Sequence, residues 1–355
     1  MLKTRYLRIN RNCPESHLIA EGAEVIKKGG LVAFPTETVY GLGADGLNSD
    51  AVLKIFQVKG RPRGNPLTLH VSSFKQAQEL VSSWSPAAEL LARRFLPGPL
   101  TLILPRSQGI PDLVTAGLPT IGLRYPGNRI ALDLIKASGV PLAAPSANIS
   151  GCPSPTSSQH VLADLDGKID LILDGGPTEV GVESTIISLA GERPLLLRPG
   201  GVAKEEIEEV LKEKVVVADS VLHFEKASGE EENLCPGVNN KHYSPQARVI
   251  MVTGSPGEQV TKVKKFLAAN TDQEIGVMAT SEHFPIYEDF SVLPVYLTDL
   301  GSRTNPEEIA NRFFSALREC DQAGVEIILV ETIAPTGMGL AVMNRLCRAA
   351  EQHQI

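Results

Sequence analysis

Residues 59–66 read Lys-Gly-Arg-Pro-Arg-Gly-Asn-Pro and lie between a helical pattern and the strand-like run Leu67-Thr68-Leu69-His70-Val71. Two glycines and two prolines break a helix there. Three cations are held close in a turn and cannot spread over a helix face, so they call for a partner with several negative charges. A triphosphate is the natural candidate. Two more polar loops, Pro35 to Gly43 and Ala144 to Gly151, each follow a short apolar run. Three such loops point to one shared site.

From about Pro14 to Lys214, short strand-like runs alternate with helical patterns. Leu31 to Phe34 has the composition of a buried strand. Asn48-Ser49-Asp50 supplies cap candidates for a helix with Val52, Leu53, Ile55 and Phe56 on one side. Ser85-Pro86 reads as a cap followed by proline at the first helical position, in a helix reaching about Phe95. Further strands are expected at 67–71, 100–104, 120–124, 141–144, 171–173, 185–188 and 195–198. So many strands with few regular β-α-β alternations predict a mixed sheet in an α/β domain.

The character changes after residue 204. An acidic amphipathic helix, Glu205 to Lys214, leads into the charged, weakly apolar stretch Ala227 to Asn233. Lys241-His242-Tyr243, before Ser244-Pro245, closes that stretch, and a passive tether has no need of His-Tyr between prolines. Strand-like runs at 249–252, 275–278, 295–297 and 327–330 then alternate with helical patterns, the longest from about Pro306 to Ala323. The expected division is a mixed-sheet domain over 14–214, a linker over 215–246 and a small parallel α/β domain over 247–352.

Composition narrows the function classes. A formal net charge of −7 on 355 residues does not favour a grip on nucleic acid by bulk charge. Five cysteines, odd in number and never spaced as C-x-x-C, read as reduced thiols of a cytoplasmic protein, not a disulfide frame or a zinc site. No stretch approaches the ~20 apolar residues of a membrane span, and the N-terminus lacks the apolar core of a signal peptide.

The loops resemble the threonylcarbamoyl-AMP synthase family of the YrdC type. The residues that carry the resemblance are Lys59 and Arg61, Pro35 to Gly43, Ser146-x-Asn148, Gly181-Val182-Glu183-Ser184-Thr185 and Arg198-Pro199-Gly200. Pro236-Gly237, His242-Tyr243-Ser244-Pro245 and Gly337 to Leu346 are similar to the long, two-domain form. The resemblance implies a YrdC-like mixed twisted sheet followed by a small Rossmann-like parallel domain. It also implies a reaction in which L-threonine, bicarbonate and ATP give threonylcarbamoyl-AMP and pyrophosphate. Mg²⁺ is expected with ATP. The product is expected to pass to a tRNA threonylcarbamoyltransferase for modification of the adenosine beside the anticodon.

Such chemistry crowds anions, so cations and positioned donors should carry most of the rate. Lys59 and Arg61 are expected as catalytic, phosphate-holding groups, with Arg63 as a helper. Asn65, Thr120, Ser146, Asn148, Ser154 and Arg198 complete the expected ATP site. The resemblance assigns L-threonine to Thr38, Tyr40, His70, Arg124, Ala144 (by its backbone) and Ser184. Arg124 can clamp a carboxylate bidentately. Glu37 and Glu183 are candidates to orient Mg²⁺ or take a proton from the threonine amine; the alternative is that they pair with the arginines. Lys241, His242 and Tyr243 resemble a lid over the site. The reading from another class is an RNA- or tRNA-binding module without catalysis, weakened by the net charge and by an aromatic content of 5%.

Overall fold

The computed structural model of the chain describes residues 3–222 and 243–355. These fall into two units, the first of residues up to 150 with those from 154, the second of residues 151–153 with those from 243 onward. Each is described by itself.

The strands of the first unit are β1 (Arg5–Arg8), β2 (Val32–Phe34), β3 (Gly41–Asp45), β4 (Thr68–His70), β5 (Leu100–Pro105), β6 (Thr120–Arg124), β7 (Leu142–Ala143), β8 (Leu171–Asp174), β9 (Thr185–Ser188), β10 (Leu195–Arg198) and β11 (Val216–Val217). They form one mixed sheet in the order β1-β8-β2-β3-β7-β4-β6-β5-β9-β10-β11. The pair β4/β6 is parallel and β5/β6 antiparallel, as the sequence predicted for a mixed α/β sheet.

Register across the centre of this sheet sorts side chains by polarity. Leu69, Leu123, Leu102, Ile187 and Leu196 lie directly opposite one another on β4, β6, β5, β9 and β10. All five belong to one buried apolar cluster. The neighbouring row is His70, Arg124, Thr101 and the apolar Ile186, and a β-bulge between Leu196 and Arg198 brings Arg198 opposite Ile186. Successive side chains on a strand point to opposite faces, so packing the apolar row into the core turns this polar row to the other face.

Helices against the sheet are set by local signals. Ser49–Lys59 is capped by the Asn48 side chain, which accepts from the backbone N–H of Asp50 and Ala51. It ends at Gly60, whose φ of 60° is left-handed. Lys59 is therefore the last residue of this helix, not a loop residue; only the residues after it form the basic turn. Pro86–Phe95 starts after a Ser85 cap with proline in its first turn, as read from sequence.

Three sequence expectations need correction. The first polar loop ends at Tyr40, because Gly41 and Gly43 enter β3 against the ring of Phe34; a Cβ on Gly43 would stand 2.7 Å from that ring. The first domain does not begin at residue 14, since β1 pairs with β8. Nor does a linker begin at 215: β11 pairs with β10, and Ala218 and Val221 pack with Ile103, Ile186 and Leu197.

The second unit holds a parallel sheet of β12 (Arg248–Val252), β13 (Ile275–Ala279), β14 (Tyr296–Asp299) and β15 (Ile327–Glu331), in the order β12-β15-β13-β14. Its apolar strands alternate with helices, which fits the small parallel α/β domain expected. Glu331, fully buried at the end of β15, accepts from Thr280, Arg303 and Tyr287 and lies 2.5 Å from His283 Nδ1. No helix among the described residues is long and apolar enough to cross a membrane.

Candidate active site

The polar row is the floor of the site. Arg124 is buried, and its Nη2 donates to Glu37 Oε1 at 2.8 Å, Thr38 Oγ1 at 2.8 Å and Thr36 Oγ1 at 3.3 Å. Beside it on β4, His70 is buried, and burial followed by the charge of Arg124 pushes its pKa down to about 3. The imidazole is therefore neutral at ordinary pH. On the other side Thr101 Oγ1 is 2.8 Å from Ser184 Oγ. The fork of Arg198 donates to Ser184 O through Nε at 3.1 Å and Nη2 at 3.0 Å.

Four loops meet over this floor. Lys59 Nζ donates to Ser146 O at 2.5 Å and to Asn148 O. Ser150 N returns a bond to Lys59 O at 2.9 Å. Ala147 N donates to Tyr40 O at 2.8 Å, which joins the Ser146 loop to the Pro35 loop. Gly181 N donates to Thr38 O at 3.2 Å, and Val180 N to Glu37 O at 2.8 Å, which joins the Pro35 loop to the loop before Ser184. Hydrogen bonds and strand pairing thus link Lys59 through the Ser146 and Pro35 loops to Arg124, and Arg124 through its strand partner Thr101 to Ser184 and Arg198.

Most residues singled out in the sequence meet here, some in unexpected ways. Arg61 is buried and folds onto its own turn, donating to Asn65 O at 3.3 Å and Pro66 O at 2.9 Å. Arg63 is exposed. Ser154 Oγ donates to Glu183 Oε1. Ala144 contributes main chain, its N–H bonding Thr68 O at 3.1 Å. Thr120 lies two residues from Gly122 and four from Arg124 on β6, beside Thr68 and Ile103. Tyr40 differs most from expectation: its phenol, fully buried, donates to Gly176 O at 2.7 Å and Asp174 Oδ1 at 3.3 Å. It is a strut between loops. Lys241 and His242 lie outside the described residues. Tyr243, at a φ of 65°, packs in the second unit 5.4 Å from the Phe314 ring, with the Arg345 guanidinium 5.7 Å over it.

Sequence reading missed Thr36, Thr101 and Asp174. Thr101 is the one polar residue in Leu-Thr-Leu-Ile-Leu, a signal that gains meaning only when register sets it opposite Arg124. Asp174 ends β8. Its burial acts to raise its pKa, but hydrogen bonds from Tyr6, the Gly176 N–H, Ser158 and Tyr40 outweigh that and leave it lowered.

Comparison with known proteins identifies the family. The family described as telomere recombination, the Sua5/YciO/YrdC type, matches residues 24–200, and the threonylcarbamoyl-AMP synthase C-terminal domain matches residues 202–351. The chain is 46% identical over 338 residues to the threonylcarbamoyl-AMP synthase of Pyrococcus abyssi, covering 95% of each. The chain belongs to the threonylcarbamoyl-AMP synthase family. A Bacillus subtilis member is 43% identical, across 94% of this chain and 92% of its own. The crystal structure of P. abyssi Sua5 complexed with L-threonine superposes with a TM-score of 0.91 at 44% identity, covering 99% of each chain.

Proposed function

We propose that this protein is a threonylcarbamoyl-AMP synthase, joining L-threonine, bicarbonate and ATP to give threonylcarbamoyl-AMP and pyrophosphate. The observation that carries this reading is the single run of contacts from Lys59 to Arg198 over one polar sheet face. It sets a cationic phosphate cradle next to a buried arginine suited to an amino-acid carboxylate.

In this reading the threonine carboxylate lies on Arg124 and its hydroxyl reaches neutral His70 or Ser184. Lys59, Arg61 and Arg198 hold the phosphates, helped by Asn65, Ser146, Asn148 and Ser154. The donors stand in place before substrate arrives: Lys59 and Arg61 are fixed by carbonyls and Arg198 by Ser184, so little reorganisation accompanies charge development at the α-phosphorus. Among the described residues no group of three His, Cys, Asp or Glu is arranged to hold a metal ion. Magnesium enters the proposal as part of the Mg–ATP substrate. The product is a mixed anhydride that a tRNA threonylcarbamoyltransferase would consume, and a cytoplasmic location suits that hand-over.

The test is to incubate the protein with ATP, Mg²⁺, bicarbonate and labelled threonine and to look for a threonine-containing adenylate with equimolar pyrophosphate. Omitting bicarbonate should stop it. Salt-dependent tRNA binding with no adenylate formed would favour the RNA-binding reading instead.

A further inference from the structure

Glu37 carries a carboxylate into a buried position, and only one of its oxygens is matched. Oε1 accepts from Arg124 Nη2 at 2.8 Å, while Oε2 is shielded from water and has no hydrogen-bond partner. Arg124 Nε is likewise buried without an acceptor. Buried charged groups rarely leave such atoms unmet. An unmet acceptor and an unmet donor on one ion pair are the complement of an α-amino acid, whose ammonium donates and whose carboxylate accepts. The Glu37 backbone is pinned, its carbonyl accepting from Glu179 N at 3.1 Å and Val180 N at 2.8 Å, so its side chain is aimed by the fold.

We propose that Glu37 Oε2 takes the proton that the L-threonine ammonium must lose before its nitrogen can attack bicarbonate. This rests on the function proposed above. An N–H bond of the ammonium breaks, the proton goes to Oε2, and the electron pair stays on nitrogen. That pair forms the N–C bond with the bicarbonate carbon. The C–OH bond breaks, and its oxygen leaves as water with a second proton from the nitrogen. The products are the N-carboxylate of threonine, water and a neutral Glu37, with no oxidant or reductant involved. A neutral Glu37 does not repel the new carboxylate. Among the described residues, Arg124 from β6 pairs with Glu37, and His70 lies opposite Arg124 on β4. His70, its pKa pushed down to about 3, stays neutral from pH 7 to 10 and does not confuse a titration there. Thr36 and Thr38 do not ionise in this range.

The experiment compares the unaltered protein, Glu37→Gln and Glu37→Asp from pH 7 to 10, measuring kcat/KM for threonine at saturating Mg–ATP and bicarbonate. At pH 7 Glu37→Gln should lose about 10²- to 10⁴-fold, the range of a missing general base. It should regain activity by about tenfold per pH unit relative to the unaltered protein, because it can use only threonine whose amine is already neutral. Glu37→Asp should be slower than the unaltered protein with the same profile shape. Mg–ATP affinity should be unchanged in both. A Glu37→Gln defect that is constant with pH, a full rate at pH 7, or a steep profile in Glu37→Asp each overturn the role of Glu37. If the unaltered protein itself makes no threonine adenylate, the proposed function fails, and this role with it.

Discussion

Lys59 Nζ lies 2.5 Å from the main-chain oxygen of Ser146, eighty-seven residues along the chain. The lysine ends the helix Ser49–Lys59, and Gly60 turns the chain away behind it. Its ammonium is thereby fixed between the two polar loops expected to hold phosphate. The Lys59→Ala variant should lose pyrophosphate release by ~10²-fold or more, the size of one preorganised donor. It should also lose about 1–3 kcal/mol of stability, because Ser146 and Asn148 carbonyls lose a donor. Thermal unfolding and a pyrophosphate assay read both. Undiminished activity in a folded Lys59→Ala protein would reject the site.

Ser184 Oγ sits between Thr101 and Arg198, 2.8 Å from the first and 3.2 Å from the second. Ser184→Ala should raise KM for threonine by about five- to tenfold, the worth of one hydrogen bond of ~1 kcal/mol. Thr101→Val should act in the same direction. The double variant should fall short of the product of the two, since both act through one hydroxyl.

His70 gives a pH prediction. Its folded pKa lies at about 3 against an ordinary 6.5, so between those values the unfolded chain binds the extra proton. Stability from this group is intact above pH 6.5 and falls as pH drops towards 3, by up to ~1.4 kcal/mol per unit. His70→Asn should flatten that part of the stability profile measured by urea unfolding. An unchanged slope would mean that His70 does not titrate on unfolding in this window.

Two glycines should behave differently. A Cβ on Gly200 would stand 2.3 Å from Glu183 O and 2.4 Å from Thr185 N, both main-chain atoms. Gly200→Ala should cost about 1–3 kcal/mol by overpacking and displace the Ser184 loop, with activity falling alongside. Gly60 has open space around it and needs only its left-handed φ. Gly60→Ala should cost about 1 kcal/mol and keep most activity. Similar losses in both would show that close approach at Gly200 does not govern the loop.

In the second unit, Glu331 is the buried counter-charge of Arg303 at 2.9 Å. Glu331→Ala should destabilise that unit by about 1–3 kcal/mol, because Arg303, Thr280 and Tyr287 lose a shared buried acceptor. Calorimetry should show the loss in one transition of the two-unit chain.

Strand and helix identities were legible where signals are local. The strands Thr120–Arg124, Thr185–Ser188 and Leu195–Arg198 and the helix Pro86–Phe95 follow from apolar runs and a Ser-Pro start. The loop motifs were legible too, because cations and glycines cluster within a few residues. The strand at Gly41 was not, since two glycines look like a turn until Phe34 packs on them.

By itself the sequence determined which residues carry charge, where the chain must turn, and that its loops resemble one family. It could not determine which side chains share a face. Only strand register set His70, Arg124 and Thr101 in one row, because the neighbouring Leu69, Leu123 and Leu102 must leave water together, and a β-bulge between Leu196 and Arg198 brings Arg198 opposite Ile186. Alternation within a strand is written in the chain. The pairing between strands far apart in sequence is decided by burial, and the tertiary structure made that choice.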